Sequence, residues 1–195
     1  MKKIILALLF VLPVFASLAS AQGVIYSTAD FKAFYASTQP QNVLLGADIT
    51  FDNNPLGSIG SGLKSIDLGA YALSFLNNTA GDGGAIANST INFTRGAVNF
   101  TSNRGTSFLG GGAIYNINNS TINFTSAVVN FTSNSSAGLL GGGAIYNWEN
   151  SRINFTSGAV NFAGNSASSS GGAIYNWYNS TINFTSEIVN FMSNT

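Results

Sequence analysis

The chain has 195 residues and a formal net charge of zero, and only 7% of its residues are charged, against about 25% in an ordinary soluble domain. It contains no Cys and no His, which excludes disulfide staples and removes the commonest general base and transition-metal ligand. The few cations make no basic footprint for nucleic acid, so solubility rests on Asn, Ser and Thr.

Met1-Lys2-Lys3 is a short basic start, Ile4 to Phe15 is an apolar run broken only by Pro13, and Ala19-Ser20-Ala21 is a small-x-small cleavage site. That order predicts a secretory signal peptide over residues 1–21, and the apolar run is short for a bilayer span. After its removal five basic and seven acidic side chains remain, and no later stretch reads as transmembrane. Residues 22–82 read as an N-terminal cap and irregular first rungs. Thr28 to Tyr35 places Phe31, Phe34 and Tyr35 on one side of a short predicted helix. Val43-Leu44-Leu45, Asp48 to Phe51 and Ser65 to Leu68 predict strands.

Residues 83–195 are a regular repeat. Gly83-Gly84-Ala85-Ile86 recurs as Gly111-Gly112-Ala113-Ile114, Gly142-Gly143-Ala144-Ile145 and Gly171-Gly172-Ala173-Ile174, at steps of 28, 31 and 29 residues. Each copy holds three short runs, as in Ala113 to Tyr115, Thr121 to Thr125 and Val129 to Phe131. The last two alternate apolar and polar, the period of a strand with one buried face. Small and polar residues such as Ser126-Ala127 separate the runs, as turns require. Three strands and three turns describe one rung of a single-stranded parallel β-helix. The expected fold is thus an all-β β-solenoid with a short N-terminal capping helix.

Stacking would align Ile91, Ile122, Ile153 and Ile182 in one internal column. Phe93, Phe124, Phe155 and Phe184 would form a second, Val98, Val129, Val160 and Val189 a third, and Phe100, Phe131, Phe162 and Phe191 a fourth. The intervening Asn92, Asn123, Asn154 and Asn183, and Asn99, Asn130, Asn161 and Asn190, would point outward and bond to their equivalents ~4.8 Å away. The helix near Phe31 would cover one end of the core. The last rung, Thr181 to Phe191, has no such cover in the sequence, so end-to-end self-association through it is expected.

Phe-x-x-Asn occurs at Phe75 to Asn78, Phe100 to Asn103, Phe131 to Asn134, Phe162 to Asn165 and Phe191 to Asn194. Its tandem pairing with Gly-Gly-Ala-Ile resembles the polymorphic outer-membrane protein repeats of chlamydiae, from Phe75 to the last residue. The resemblance implies a β-helical passenger, carried to the cell surface by a C-terminal β-barrel and used for adhesion. The sequence departs from that plan in showing no barrel, so the expectation is a passenger-like chain that is exported to the surface, outer membrane or exterior of a bacterium.

Chemistry-bearing residues are sparse. Among the acids Asp48 and Asp52 are close in sequence, and Asp48 and Asp67 could meet across rungs near Lys64, the one arrangement that would suit a polysaccharide-active enzyme. A solvated strand end explains these acids equally well, and the expectation is no catalytic residue, cofactor or metal. Asp82 between Gly81 and Gly83 is unlike a calcium β-roll in not repeating. Gly110-Gly111-Gly112 and Gly141-Gly142-Gly143 lack the Lys and helix of a phosphate loop and read as turns. If Ile114, Ile145 and Ile174 face inward, Tyr115, Tyr146 and Tyr175 face outward, with Trp148 and Trp177 two residues further on. These five form a candidate contact strip for a host or neighbouring-cell protein or glycan; the alternative is a ladder of rings covered by its own loops. Thr90, Asn92 and Thr94, repeated at Thr121, Asn123 and Thr125 and at Thr181, Asn183 and Thr185, would also suit an ice- or crystal-binding face, interrupted by Arg152. The leading expectation is a non-enzymatic adhesin-like repeat protein.

Overall fold

The computed structural model describes residues 23–37, 41–58, 63–87 and 90–195; the expected signal peptide lies outside them. Every strand pair among the described residues is parallel, and like pairs with like. Ile122 lies opposite Ile91 and Ile153, and Val129 opposite Val98 and Val160. The result is the expected β-solenoid. One face is a seven-stranded sheet running from Gly23–Ile25 through Thr121–Thr125 to Thr181–Phe184. The next is a six-stranded sheet from Ile49–Asp52 through Val128–Thr132 to Ile188–Met192, and a third, five-stranded, contains Ile114–Asn116 and its equivalents. Between the second and third faces the rung is more divided than three strands and three turns. Two-residue strands such as Ser135–Ser136 stack in a sheet of four, and Leu109–Gly111 pairs with Leu140–Gly142.

The apolar members of the alternating runs fill the interior. Ile122, Phe124, Val129 and Phe131 are fully buried, each worth roughly 1.5–3 kcal/mol of apolar burial. One Phe column runs Phe51, Phe75, Phe100, Phe131, Phe162, Phe191, and from Phe75 onward its centroids are 4.7–5.1 Å apart with near-parallel rings. The second runs Phe93, Phe124, Phe155, Phe184. The columns meet edge to face, as at Phe100 and Phe124, 6.3 Å and 89° apart, so each ring stacks along the axis and presents its edge across it.

The Asn of Phe-x-x-Asn also points inward. Asn78, Asn103, Asn134 and Asn165 are fully buried. Strict alternation from Phe131 would put Asn134 outside, but Ser133 before it has φ 54°, in the left-handed region. Asn77, Ser102, Gly164 and Ser193 do the same in their rungs. That one residue breaks the period of two and turns the amide into the coil. Asn103 donates its backbone N–H and its Nδ2 to Oδ1 of Asn134 at 3.0 and 2.9 Å, and its Nδ2 also donates to the carbonyl of Phe75 at 3.0 Å. Asn134 repeats the pattern on Asn165 and Phe100, and Asn165 on Asn194 and Phe131. A buried amide with all these partners closes the corner without an orphaned group.

Gly-Gly lies against the residue that follows the Asn of the next rung, where a Cβ on Gly112 would stand 2.5 Å from the Ser135 backbone N. A Cβ on Gly111 would stand 1.7 Å from the carbonyl oxygen of Ile114, and one on Gly112 1.9 Å from that of Gly143. The backbone passes too close for any side chain.

The helix α1, Thr28–Ala36, is N-capped by Ser27, whose side chain accepts from the Asp30 N–H, as a Ser cap does. Its buried Phe31 meets Phe51 edge to face at 5.2 Å, so the helix closes the first-rung end of the Phe column. Lys64 is buried beside it, donating to the carbonyl of Ser37 at 2.7 Å, with Nζ 5.8 Å from the Phe34 ring centre. Burial lowers the pKa of this amine. In the last rung Phe184, Ile188, Phe191 and Met192 are exposed.

Candidate functional site

The expected contact strip divides into a covered part and an open part. Tyr115, Tyr146 and Tyr175 do leave the main core and stack, with centroids 5.3 and 5.5 Å apart. Yet Tyr146 is fully buried and Tyr115 nearly so, which corrects their assignment to an exposed strip. They belong to a second apolar cluster outside the first, with Ala87 and Ile117, closed over by Leu109 and Leu140 and flanked by Trp148 and Tyr175. The short Leu–Gly–Gly strands fold back across the tyrosines. Burial raises the Tyr115 phenol, helped by the charges of Asp82 and Glu149. The Tyr146 phenol is pushed up to about 12 by burial and by Tyr115 and Tyr175 on either side. Neither the Tyr146 hydroxyl nor the Trp148 indole N–H has a hydrogen-bond partner within the described residues.

The open part is the turn that leads from this face to the seven-stranded sheet. Ile117, Trp148 and Trp177 hold equivalent positions, the first buried, the second half-buried and the third 53% exposed. Tyr178 follows, 54% exposed; it was not among the residues expected. Its ring centre lies 6.1 Å from that of Trp148 and 6.5 Å from that of Trp177. The turn takes two successive left-handed residues in each copy, Asn118–Asn119, Glu149–Asn150 and Tyr178–Asn179. Asn adopts that conformation readily, whereas for Tyr178 at φ 53° it is an outlier. An aromatic at this position therefore bears backbone strain.

The acids considered for catalysis are each held elsewhere. Asp67 pairs with Arg95, its Oδ1 2.6 Å from Nε, and that hydrogen bond holds its carboxyl below the usual range. Asp48 accepts the Ala72 N–H at 2.8 Å, Asp52 accepts from the Asn77 amide, and Lys64 serves the helix. Among the described residues no group of three acids could hold a metal ion, and no helix is long and apolar enough to cross a membrane. The outward asparagines form the expected ladders, with Asn123 Nδ2 2.7 Å from Asn92 Oδ1 and Asn130 Nδ2 2.9 Å from Asn99 Oδ1. A further amide ladder, Asn116 to Asn147 to Asn176, went unforeseen.

The family model of the Chlamydia polymorphic membrane protein (Chlamydia_PMP) repeat matches residues 72–89 and 159–176. Each stretch contains one Phe-x-x-Asn and the Gly-Gly-Ala-Ile that follows it, so the resemblance carried by these motifs is supported at two places in the chain. No curated protein and no solved structure matches the chain.

Proposed function

We propose that this chain is a surface-displayed, passenger-like solenoid that acts in adhesion rather than catalysis, with the aromatic turn of its later rungs as the contact face. The observation that carries the reading is the coincidence of the family repeat, at 72–89 and 159–176, with a rigid stack that lifts Trp177 and Tyr178 into solvent. Tyr and Trp give large amphipathic contact area at low entropic loss.

Beads coated with the chain should attach to cultured host-type cells more than beads coated with an inert protein. Trp177→Ala with Tyr178→Ala should remove most of the difference, both side chains being exposed enough to leave the fold intact. Attachment no greater than the inert control would sink the adhesive reading. Turnover of an acidic polysaccharide that fell on Asp48→Asn or Asp67→Asn would put an enzyme in its place.

A further inference from the structure

A groove of about 210 Å³ lies along the four-stranded sheet, on a different edge of the rung from the aromatic turn. Arg104, Ser135 and Ser166 hold equivalent positions in three successive rungs, so one guanidinium and two hydroxyls stand in a row at a spacing of ~4.8 Å per rung. Ser136 and Ser168 complete the polar lining, and no acid contributes to it. The backbone beneath is fixed, because Asn103, Asn134 and Asn165, one residue before each of the three, are the buried amides of the internal ladder.

Of the other described cations, all but Arg152 are engaged. Arg95 is paired with Asp67, Lys64 with the Ser37 carbonyl and Lys32 with the Asn54 amide. Among the described residues the Arg104 guanidinium has neither a hydrogen bond nor an ion pair, and the Ser135 and Ser166 hydroxyls make no hydrogen bond. The Ser136 and Ser168 hydroxyls, by contrast, donate to the carbonyls of Gly110 and Ser136. Arg152 is also without a side-chain partner, but it stands on the seven-stranded sheet at the position of Thr121 and Thr181, away from this groove.

We infer that the Arg104 groove is a binding site for a singly charged oxyanion carried on a hydroxylated ring, the carboxylate or sulfate ester of an acidic saccharide. The planar guanidinium offers two parallel donors to such a group. A single cation matches a single negative charge better than the nearly doubly charged phosphate monoester. The free serine hydroxyls, able to donate and accept, suit the ring hydroxyls beside it. The recess is smaller than a pocket for a drug-sized ligand and fits one sugar unit. This site is independent of the aromatic turn, and its occupancy does not require the adhesive reading.

The test is a titration of the full, nitrogen-15-labelled chain, following the Nε–H signals of the arginines with glucuronate, glucose 6-sulfate, glucose and sodium acetate as probes. The Arg104 signal should move and saturate with an acidic sugar, with a dissociation constant on the order of millimolar. A response to glucuronate alone assigns a carboxylate, and one to the sulfate alone a sulfate ester; both together assign the shared chemistry. Arg104→Gln should weaken binding at least about tenfold with an unchanged melting temperature, Ser135→Ala with Ser166→Ala should weaken it severalfold, and Arg152→Gln should leave it intact. The inference is overturned if the Arg104 signal does not move, if acetate moves it as much as the sugars at equal concentration, or if Arg152→Gln is as damaging as Arg104→Gln.

Discussion

Asn134 and Asn123 belong to the same rung, carry the same amide and stack on equivalents in the rungs above and below, yet they sit in different media. Asn134 is inside the coil, fully buried, and serves the backbone N–H of Asn103 and the carbonyl of Phe100 as well as neighbouring amides. Asn123 is on the outer face, half-buried, with one amide bond to Asn92 and one from Asn154, both 2.7 Å. The geometry is as good outside as inside. What differs is the alternative, since water can replace the partner of Asn123 but cannot reach those of Asn134. Repetition of a residue along a solenoid therefore says that it stacks, and burial decides how much the stack depends on it.

The comparison has a sharp experimental form. Asn134→Ala leaves the Asn103 N–H and part of its amide without an acceptor, and should lower the unfolding free energy by roughly 3 kcal/mol or more, read from urea denaturation. Asn123→Ala should lower it by about 0.5–1.5 kcal/mol. Equal losses would break the distinction between the ladders.

Tyr146 gives the opposite control, a buried polar atom with no partner to lose. By the same rule, Tyr146→Phe removes a buried hydroxyl that has no partner, and at neutral pH should raise stability by about 1–3 kcal/mol. A second effect appears at alkaline pH. The folded phenol is pushed up to about 12, above its value of about 10 in an unfolded chain. The neutral form favours the folded state, so this contribution is whole below about pH 10 and is lost as pH rises toward 12. The Phe variant should show a flatter alkaline limb in a series of urea melts, and an unchanged limb would show that the phenol is not buried as described.

The columns of Ile, Val and Phe could be read from the sequence because a period of two and a repeat of fixed register leave one inward set. The helix over the first-rung end was legible through its spacing of Phe31, Phe34 and Tyr35. The inward Asn of Phe-x-x-Asn was not, because a single left-handed residue resets the alternation, and Ser133 carries no side-chain mark of that conformation. Its trace in the sequence is the invariance of Asn across copies whose preceding residue varies among Asn, Ser and Gly. The burial of Tyr115 and Tyr146 was missed for another reason. Alternation shows that a side chain leaves the inner core, not whether a later segment covers it. Leu109 and Leu140, apolar and placed just before Gly-Gly, were the available signal. Tyr178 could not be distinguished from its counterparts Asn118 and Glu149 without knowing that the turn there is left-handed.

The amide ladders also have direction. In the buried column and in the Asn116 column, each Nδ2 donates toward the later rung, as from Asn103 to Asn134 and from Asn116 to Asn147. In the two outer columns each donates toward the earlier rung, as from Asn123 to Asn92 and from Asn130 to Asn99. Two rows of dipoles therefore point up the axis and two point down, around a sheet backbone whose own net dipole is small. An α-helix gathers partial charge at its ends as its peptide dipoles align. This stack largely cancels its own field, so a hundredth rung would meet nearly the same potential as a fourth, and its length is set by the gene rather than by electrostatics.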